Sequence, residues 1–387
     1  MSKTIAANTN NLGSFSFDRH IEYTVTLACP EYDAGNPCPG CFLPKMHEAA
    51  LAKDPRFQCE ESGYEVDPNF IIGNLEKIIS EGYKIVTLMG GEPLAMGKFN
   101  EVVDWISNSK ITAALYVGLP QLFLDNKEKL NDRFLLYKEA GLFDPNRFGW
   151  LKFSVNKLLL NKESIPVKRS PERTSAMKSY YGLRVAEQLA KLGLTCCIHQ
   201  TMTAENIDET LKLYDWARKR GIRFSFSPLV WGWRSPKHKN QAELEKQYPF
   251  RIKKEHKKKL EKISARLLGD AVDDFAKNKS RLVVPSSALL HLLPIYGYDN
   301  DISCFPRKDN SGLHRNGVRP DIQDIYPNGK RRYCIAQDTE DQAKKCIGCF
   351  GSAGVDRSNC FYEFESIYFG QESRFLNGDC WLKGATH

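Results

Sequence analysis

No stretch of this chain approaches the ~18 consecutive apolar residues that a membrane-spanning helix requires, so no helical span is expected. The first twenty residues, MSKTIAANTNNLGSFSFDRH, hold neither an apolar core nor a small-residue cleavage site, and no secretory segment is read from them. Internal repeats and low-complexity tracts are missing as well, which excludes solenoid and fibrous classes. What is present is ordinary for a soluble globular protein, expected in the cytoplasm: 387 residues, 42% hydrophobic and 26% charged, enough for one large or two ordinary domains.

Charge of one sign is also scarce outside a single stretch. The net charge is +8, but residues 237–281 carry fourteen Lys/Arg against seven Asp/Glu, which leaves the rest close to neutral. Within that stretch Ile252, Leu260, Ile263, Leu267 and Phe275 recur at multiples of three or four, the stripe of a helix with a solvated basic face. Residues 251–274 contain no aromatic ring except His256, whereas single-stranded nucleic-acid binders interleave aromatics with basic residues. A zinc-stabilised nucleic-acid-binding protein therefore stands as the disfavoured alternative, and a dock for an acidic peptide as the other use of the basic run.

The twelve cysteines are not scattered as disulfide staples would be. Cys29, Cys38 and Cys41 lie within thirteen residues, in LACPEYDAGNPCPGC, and Cys304, Cys334, Cys346, Cys349, Cys360 and Cys380 all follow residue 300. Bunched thiols in a reduced compartment are metal ligands more often than bridges. The first group lacks a nearby fourth cysteine other than Cys59. Three thiolates would leave one iron of a [4Fe–4S] cluster open, and a structural zinc site is the competing reading. Cys196-Cys197 read as packing residues, because adjacent strand side chains face opposite ways, and His199 as a satisfied structural histidine.

From residue 21 to about 235 strand-like and helix-like segments alternate. Strands are expected at Glu22–Leu27, Lys84–Met89, Thr112–Val117, Trp150–Val155, Thr195–Thr201 and Arg223–Pro228. Asp67-Pro68 opens one intervening helix and Gly82 closes it; Asn206 caps another; Met177, Val185, Leu189 and Leu192 line a third before Gly193. Six such units predict a parallel sheet with right-handed crossovers, whose ligands bind at the carboxyl ends of the strands. The cysteine loop, Asn156 and the tetrapeptide Gly90-Gly91-Glu92-Pro93 all follow strand ends. Glycines there allow close backbone approach, and carbonyls with the Glu92 carboxylate supply acceptors for an ammonium group. That suits the amino end of S-adenosylmethionine (SAM), whose amine and carboxylate would chelate an open iron.

On these residues the chain resembles the radical SAM enzymes over roughly residues 20–235. The resemblance implies an α/β fold, a partial (β/α)6 TIM-like barrel with a small C-terminal iron–sulfur domain. It assigns Cys29, Cys38 and Cys41 to the cluster that binds SAM, and Gly90, Gly91, Glu92 and Pro93 to SAM itself. It also implies ribose contacts from Ser154 and Asn156, an adenine contact from Leu229, and Arg173 toward the SAM carboxylate. Two features depart from the family pattern. The spacing is C-x8-C-x2-C rather than C-x3-C-x2-C, and Gly40 stands where an aromatic residue usually precedes the third cysteine, with Phe42 on its other side. Loop length itself costs little entropy.

After residue 300, Gly329 to Cys334 reads G-x4-C and Cys346 to Cys349 reads C-x2-C. This segment resembles the SPASM and twitch auxiliary-cluster extensions of the same enzymes. A twitch-type site would use Cys304, Cys334, Cys346 and Cys349; alternatively the six cysteines, Cys360 and Cys380 included, would hold two clusters with three thiolates each, leaving open irons. One auxiliary [4Fe–4S] cluster is expected, with a second, or zinc, as alternatives. The expected organisation is an N-terminal extension (1–20), the radical SAM barrel (21–235), a helical connector (236–300) and the auxiliary-cluster domain (301–387). The implied activity is that of a radical SAM oxidoreductase that modifies a ribosomally made peptide, with a small-molecule or nucleoside substrate as the alternative. Implied partners are a one-electron reductant such as flavodoxin or ferredoxin and a separate peptide-recognition protein. No general acid or base is assignable.

Overall fold

A computed structural model describes residues 19–35, 67–144, 147–228, 252–277, 282, 324–325 and 331–332. Six strands, β1 (Arg19–Thr26), β2 (Tyr83–Gly90), β3 (Thr112–Val117), β4 (Phe148–Ser154), β5 (Cys197–Met202) and β6 (Arg223–Pro228), pair in parallel and in sequence order. The expected third and sixth strands fall on the observed residues, and the other four shift by one to three. Two very short strands extend the sheet beyond β1: β7 (Asp324–Ile325) runs parallel to it, and β8 (Arg331–Arg332) pairs antiparallel to β7. Asp324–Ile325 thus return to the first strand, which the Gly- and Asp-rich sequence around them did not announce. Among the described residues β6 pairs as a strand only with β5, and on its other side Phe224 N donates to Leu282 O at 2.8 Å.

Sequential order with right-handed crossovers places every crossover helix on one side of the sheet. The helices are α1 (Pro30–Asp33), α2 (Pro68–Ser80), α3 (Phe99–Asn108), α4 (Asp132–Glu139), α5 (Pro171–Lys191), α6 (Thr210–Arg218) and, after the sixth strand, α7 (Lys257–Ala276). Helix boundaries follow local chemistry. Asp67 accepts the Asn69 N–H at 2.8 Å and Pro68 occupies the first turn of α2, while Gly82, at φ 86°, carries the chain out of it. Asn206 behaves differently from expectation. It precedes a 3-10 turn, Ile207–Glu209, and its side chain turns backward, accepting from Thr203 N and donating to Thr201 O. Leu192 also departs, lying just past α5 and exposed, whereas Val185 and Leu189 are buried.

The two faces of the sheet differ in chemistry. Ile21, Tyr23, Val25, Leu88, Phe153 and Phe224, all fully buried, share the face that packs on the helices. Thr24, Thr87, Tyr116, Lys152, His199 and Ser225 alternate with them on the other face. A parallel sheet covered by helices on both faces reads as continuous apolar runs. Alternation here means one face is left to a polar interior. Helix α7 lies alongside α6: Arg218 makes two 2.7 Å bonds to buried Asp274, and Lys259 meets Asp208 at 2.7 Å. Its Leu260, Ile263 and Leu267 are buried beside Ile252, each contributing about 1.5–3 kcal/mol, and its lysines face solvent. The described part of the basic stretch thus contains an amphipathic helix, Lys257–Ala276, with Leu260, Ile263 and Leu267 of the expected stripe buried. Among the described residues no helix is long and apolar enough to cross a membrane.

Candidate cofactor site

The carboxyl ends of β1 and β2 are drawn together by backbone contact. Gly91 N donates to Thr26 O and Glu92 N to Ala28 O, each at 2.8 Å. A Cβ on Gly90 would overlap the Thr26 carbonyl, and one on Gly91 the Ala28 carbonyl; Gly90 also sits at φ 151°. The glycine pair is thus required first by the neighbouring strand. This zipper brings the turn carrying Cys29 beside the turn carrying Glu92.

Cys29 is buried at the N-terminal end of α1, with Pro30 in the first turn. Burial raises its thiol pKa, opposed by the backbone amides of Tyr32 and Glu31 and by the charge of Lys178. Amides and a cation around a buried sulfur favour the thiolate once a metal removes the proton. Cys29 therefore fits a cluster ligand. Cys38 and Cys41 lie outside the described residues, as do Leu229 and Cys304, Cys334, Cys346, Cys349, Cys360 and Cys380.

Glu92 is fully buried. Its Oε1 accepts Leu94 N at 3.2 Å and its Oε2 accepts Leu119 N from the loop after β3. Burial pushes its carboxyl up to about 7, against the pull of Lys178 and of those backbone amides. Lys178 reaches in from α5, and Gly118 leaves room for it: a Cβ there would lie 3.1 Å from Lys178 Nζ and 3.2 Å from Glu92 Oε2. Pro93 opens the 3-10 turn Pro93–Ala95, which Glu92 caps. A desolvated carboxylate near neutrality gains from a cation brought to it, so Glu92 fits the ammonium of SAM. Lys178, Gly118 and Leu119 escaped the sequence reading. The available signal was the run of Thr174, Ser175, Lys178 and Ser179, which sets a polar face on an amphipathic helix.

Side chains do the joining at the far end of the site. Asn156 Oδ1 accepts Thr201 N at 3.1 Å, its Nδ2 points to Ser175 Oγ at 3.5 Å, and its own N–H goes to Ser179 Oγ at 3.0 Å. It ties β4 and β5 to α5. Ser154 is half-buried on the polar face, opposite His199. Arg173 directs its Nη1 to the carbonyls of Pro166 and Val167, the latter at 3.1 Å, so its guanidinium is engaged by a loop. On the polar face of β3–β6, buried Lys152 donates to Tyr116 Oη at 2.9 Å. The Tyr116 ring meets His199 edge-on at 5.5 Å, and the His199 nitrogens contact Ser225 Oγ (3.0 Å) and Ser227 Oγ (3.2 Å). His199 is accordingly a satisfied buried histidine, and Cys196 and Cys197 are buried thiols.

No family model matches this chain, and no curated protein matches it. Among solved structures it is similar to SuiB of Streptococcus suis bound to S-adenosylmethionine, with 15% identity and a TM-score of 0.47 over 83% of this chain and 61% of that one. SuiB bound to its precursor peptide SuiA gives 15% identity and 0.48 over 84% and 64%. Native anSMEcpe with AdoMet and the Cp18Cys peptide gives 15% and 0.48 over 93% and 87%. The chain spans less than two thirds of the SuiB chain.

Proposed function

We propose that the chain is a radical SAM enzyme that modifies a peptide substrate. The observation that carries this reading is the meeting of Cys29, the glycine zipper and the buried Glu92–Lys178 pair at the carboxyl edge of a parallel sheet. When bound and reduced from outside, a [4Fe–4S] cluster with SAM would supply one-electron cleavage of the sulfonium and, through it, hydrogen-atom abstraction from the substrate. Cys29, Cys38 and Cys41 would hold the cluster. Glu92 would hold the SAM ammonium, with the desolvation that raises its pKa strengthening that contact. Lys178, within the same pocket, is placed to neutralise Glu92 before SAM enters and to meet the SAM carboxylate afterwards. The polar face around Lys152, Tyr116 and His199 would form the floor of the substrate chamber. Ser154 and Leu229 remain candidates for the nucleoside, and the cysteines after residue 300 for one auxiliary cluster or two.

Anaerobic reconstitution with iron and sulfide, followed by dithionite and SAM, tests the reading through 5′-deoxyadenosine and iron content. Product that disappears in a Cys38→Ala/Cys41→Ala variant is expected, with about eight irons per chain for one auxiliary cluster or about twelve for two. A colourless protein that loads zinc and makes no product would overturn it.

A further inference from the structure

Between β4 and α5 the chain makes a long excursion, residues 157–170, at the same sheet edge as the candidate site. Two apolar side chains on it face solvent, Leu160 at 56% and Val167 at 92% exposure. On the same excursion Lys157, Lys168 and Arg169 are exposed, with Glu163 as the opposing charge within it, Glu172 just beyond, and Lys162 already paired.

An exposed apolar loop is ordinarily held loosely, yet this one is anchored at both ends. Lys162 Nζ meets Glu128 Oε1 at 2.7 Å, and Asn161 Oδ1 caps the turn by accepting Glu163 N at 3.0 Å. Arg173 holds the carbonyls of Pro166 and Val167. Glu128 is itself fixed: its Oε2 accepts from Tyr180 Oη at 2.7 Å and its carbonyl from Gln188 Nε2 at 2.9 Å. It does this from φ 57°, the one positive φ outside glycine among the described residues. A left-handed conformation at such a residue costs about 1–2 kcal/mol, so the anchor is maintained against backbone strain. Immediately beyond, Thr174 Oγ1 approaches Glu31 Oε2 at 3.4 Å, which sets the end of the excursion against the helix that follows Cys29.

We propose that this excursion is the docking surface for the peptide substrate and that it takes a segment of interspersed apolar and acidic residues. The inference rests on the peptide-modifying reading above. Leu160 and Val167 would be covered by the apolar side chains, and Lys157, Lys168 and Arg169 would meet the carboxylates. A surface already held in shape spares the ordering cost that a mobile loop would incur on binding. The lysine-rich start of α7 is the competing basic surface. It presents Lys253, Lys254, Lys257 and Lys258 with its apolar residues Ile252 and Leu260 turned inward, so it offers charge without apolar contact.

The test uses the reconstituted full chain and a fluorescein-labelled peptide alternating leucine or valine with glutamate, followed by fluorescence anisotropy. Controls are the same peptide with lysine for glutamate, and a single-stranded oligodeoxynucleotide. The acidic peptide is expected to bind and the lysine peptide to fail. The variant Val167→Asp/Lys168→Glu/Arg169→Glu should weaken the acidic peptide at least about tenfold. Leu160→Asp, at a separate exposed position, should weaken it independently. Both should keep wild-type melting temperatures and wild-type 5′-deoxyadenosine formation without substrate. Absence of wild-type binding, equal binding by the variants, or tighter binding of the oligonucleotide would overturn the docking surface. Failure of the wild type to form 5′-deoxyadenosine would instead sink the enzymatic reading, whatever the peptide does.

Discussion

At the β1–β2 end of the site, candidate residues are placed by backbone meeting backbone; at the β4–β5 end they are placed by side chains reaching across. The first arrangement has almost no slack, because the Thr26 and Ala28 carbonyls occupy the space where side chains at Gly90 and Gly91 would begin. The second relies on Asn156, Ser175 and Ser179, whose hydrogen bonds can lengthen or be replaced by water. The difference teaches where tolerance lies. Residues that govern the position of Cys29 and Glu92 should accept no substitution, whereas those around Asn156 should accept some at a measurable cost.

The largest effect should come from Gly91→Ala. The added Cβ meets backbone, which cannot rotate away, so the β1 and β2 ends must separate. A destabilisation of about 3–5 kcal/mol is expected, together with loss of iron on reconstitution because Cys29 moves with the β1 end. A melt and an iron assay on the same sample check both. Retention of wild-type iron with a lowered melting temperature would show that the zipper serves the fold but not the cluster.

Glu92→Gln should act next, through pH. The folded carboxyl titrates at about 7, above its ordinary value of 4.5. Between those values the folded state holds a proton that the unfolded chain has released, so stability falls as pH rises through that window and is flat above it. For a fully buried group the loss is on the order of 3 kcal/mol. Denaturant titrations of the cofactor-free chain from about pH 5 to pH 8 should show this decline in the wild type and not in Glu92→Gln. Equal slopes would mean that Lys178 keeps Glu92 ionised throughout. SAM affinity of the reconstituted variant should fall, since an amide cannot neutralise an ammonium.

Asn156→Ala marks the softer end. It leaves Thr201 N without its acceptor and costs about 2 kcal/mol, read as a shift in denaturation midpoint with iron content unchanged. Asn156→Asp retains the acceptor toward Thr201 N and should recover part of that loss. If the alanine variant loses SAM affinity while its stability is untouched, the side chain serves the nucleoside instead of the β4–β5–α5 junction.

The same contrast explains what the sequence made legible. Strand positions could be read because β1 and β6 alternate apolar and polar residues, as RFSFSP does in β6, and the ends of those strands fixed the edge where ligands gather. The glycine pair and Cys29 were visible as motifs, since their spacing is local. Which surface the glycines approach was not, because the carbonyls of Thr26 and Ala28 lie more than sixty residues earlier in the chain. Lys178 was hidden for a similar reason: a lysine on an amphipathic helix usually lies in solvent, and its approach to Glu92 depends on the absence of a side chain at Gly118. The polar face with Lys152 and His199 appeared in the sequence as alternation, but alternation alone does not say that the polar side is enclosed.

Arg173 should give the smallest stability effect and the sharpest separation of roles. Resemblance points its guanidinium to the SAM carboxylate, while its bonds to the Pro166 and Val167 carbonyls point it to the β4–α5 excursion. A half-buried side chain bonded to two exposed carbonyls contributes about 1 kcal/mol, so Arg173→Ala should melt close to wild type. Its local consequence should be larger. Without the guanidinium, the segment containing Lys168 and Arg169 is released at one end, and limited trypsin digestion should cut there several-fold faster. Arg173→Lys should restore only part of the protection, because a single ammonium on a flexible stem replaces a planar fork. Lost SAM affinity without faster cleavage would move Arg173 to the cofactor, and with it the end of the site that side chains hold.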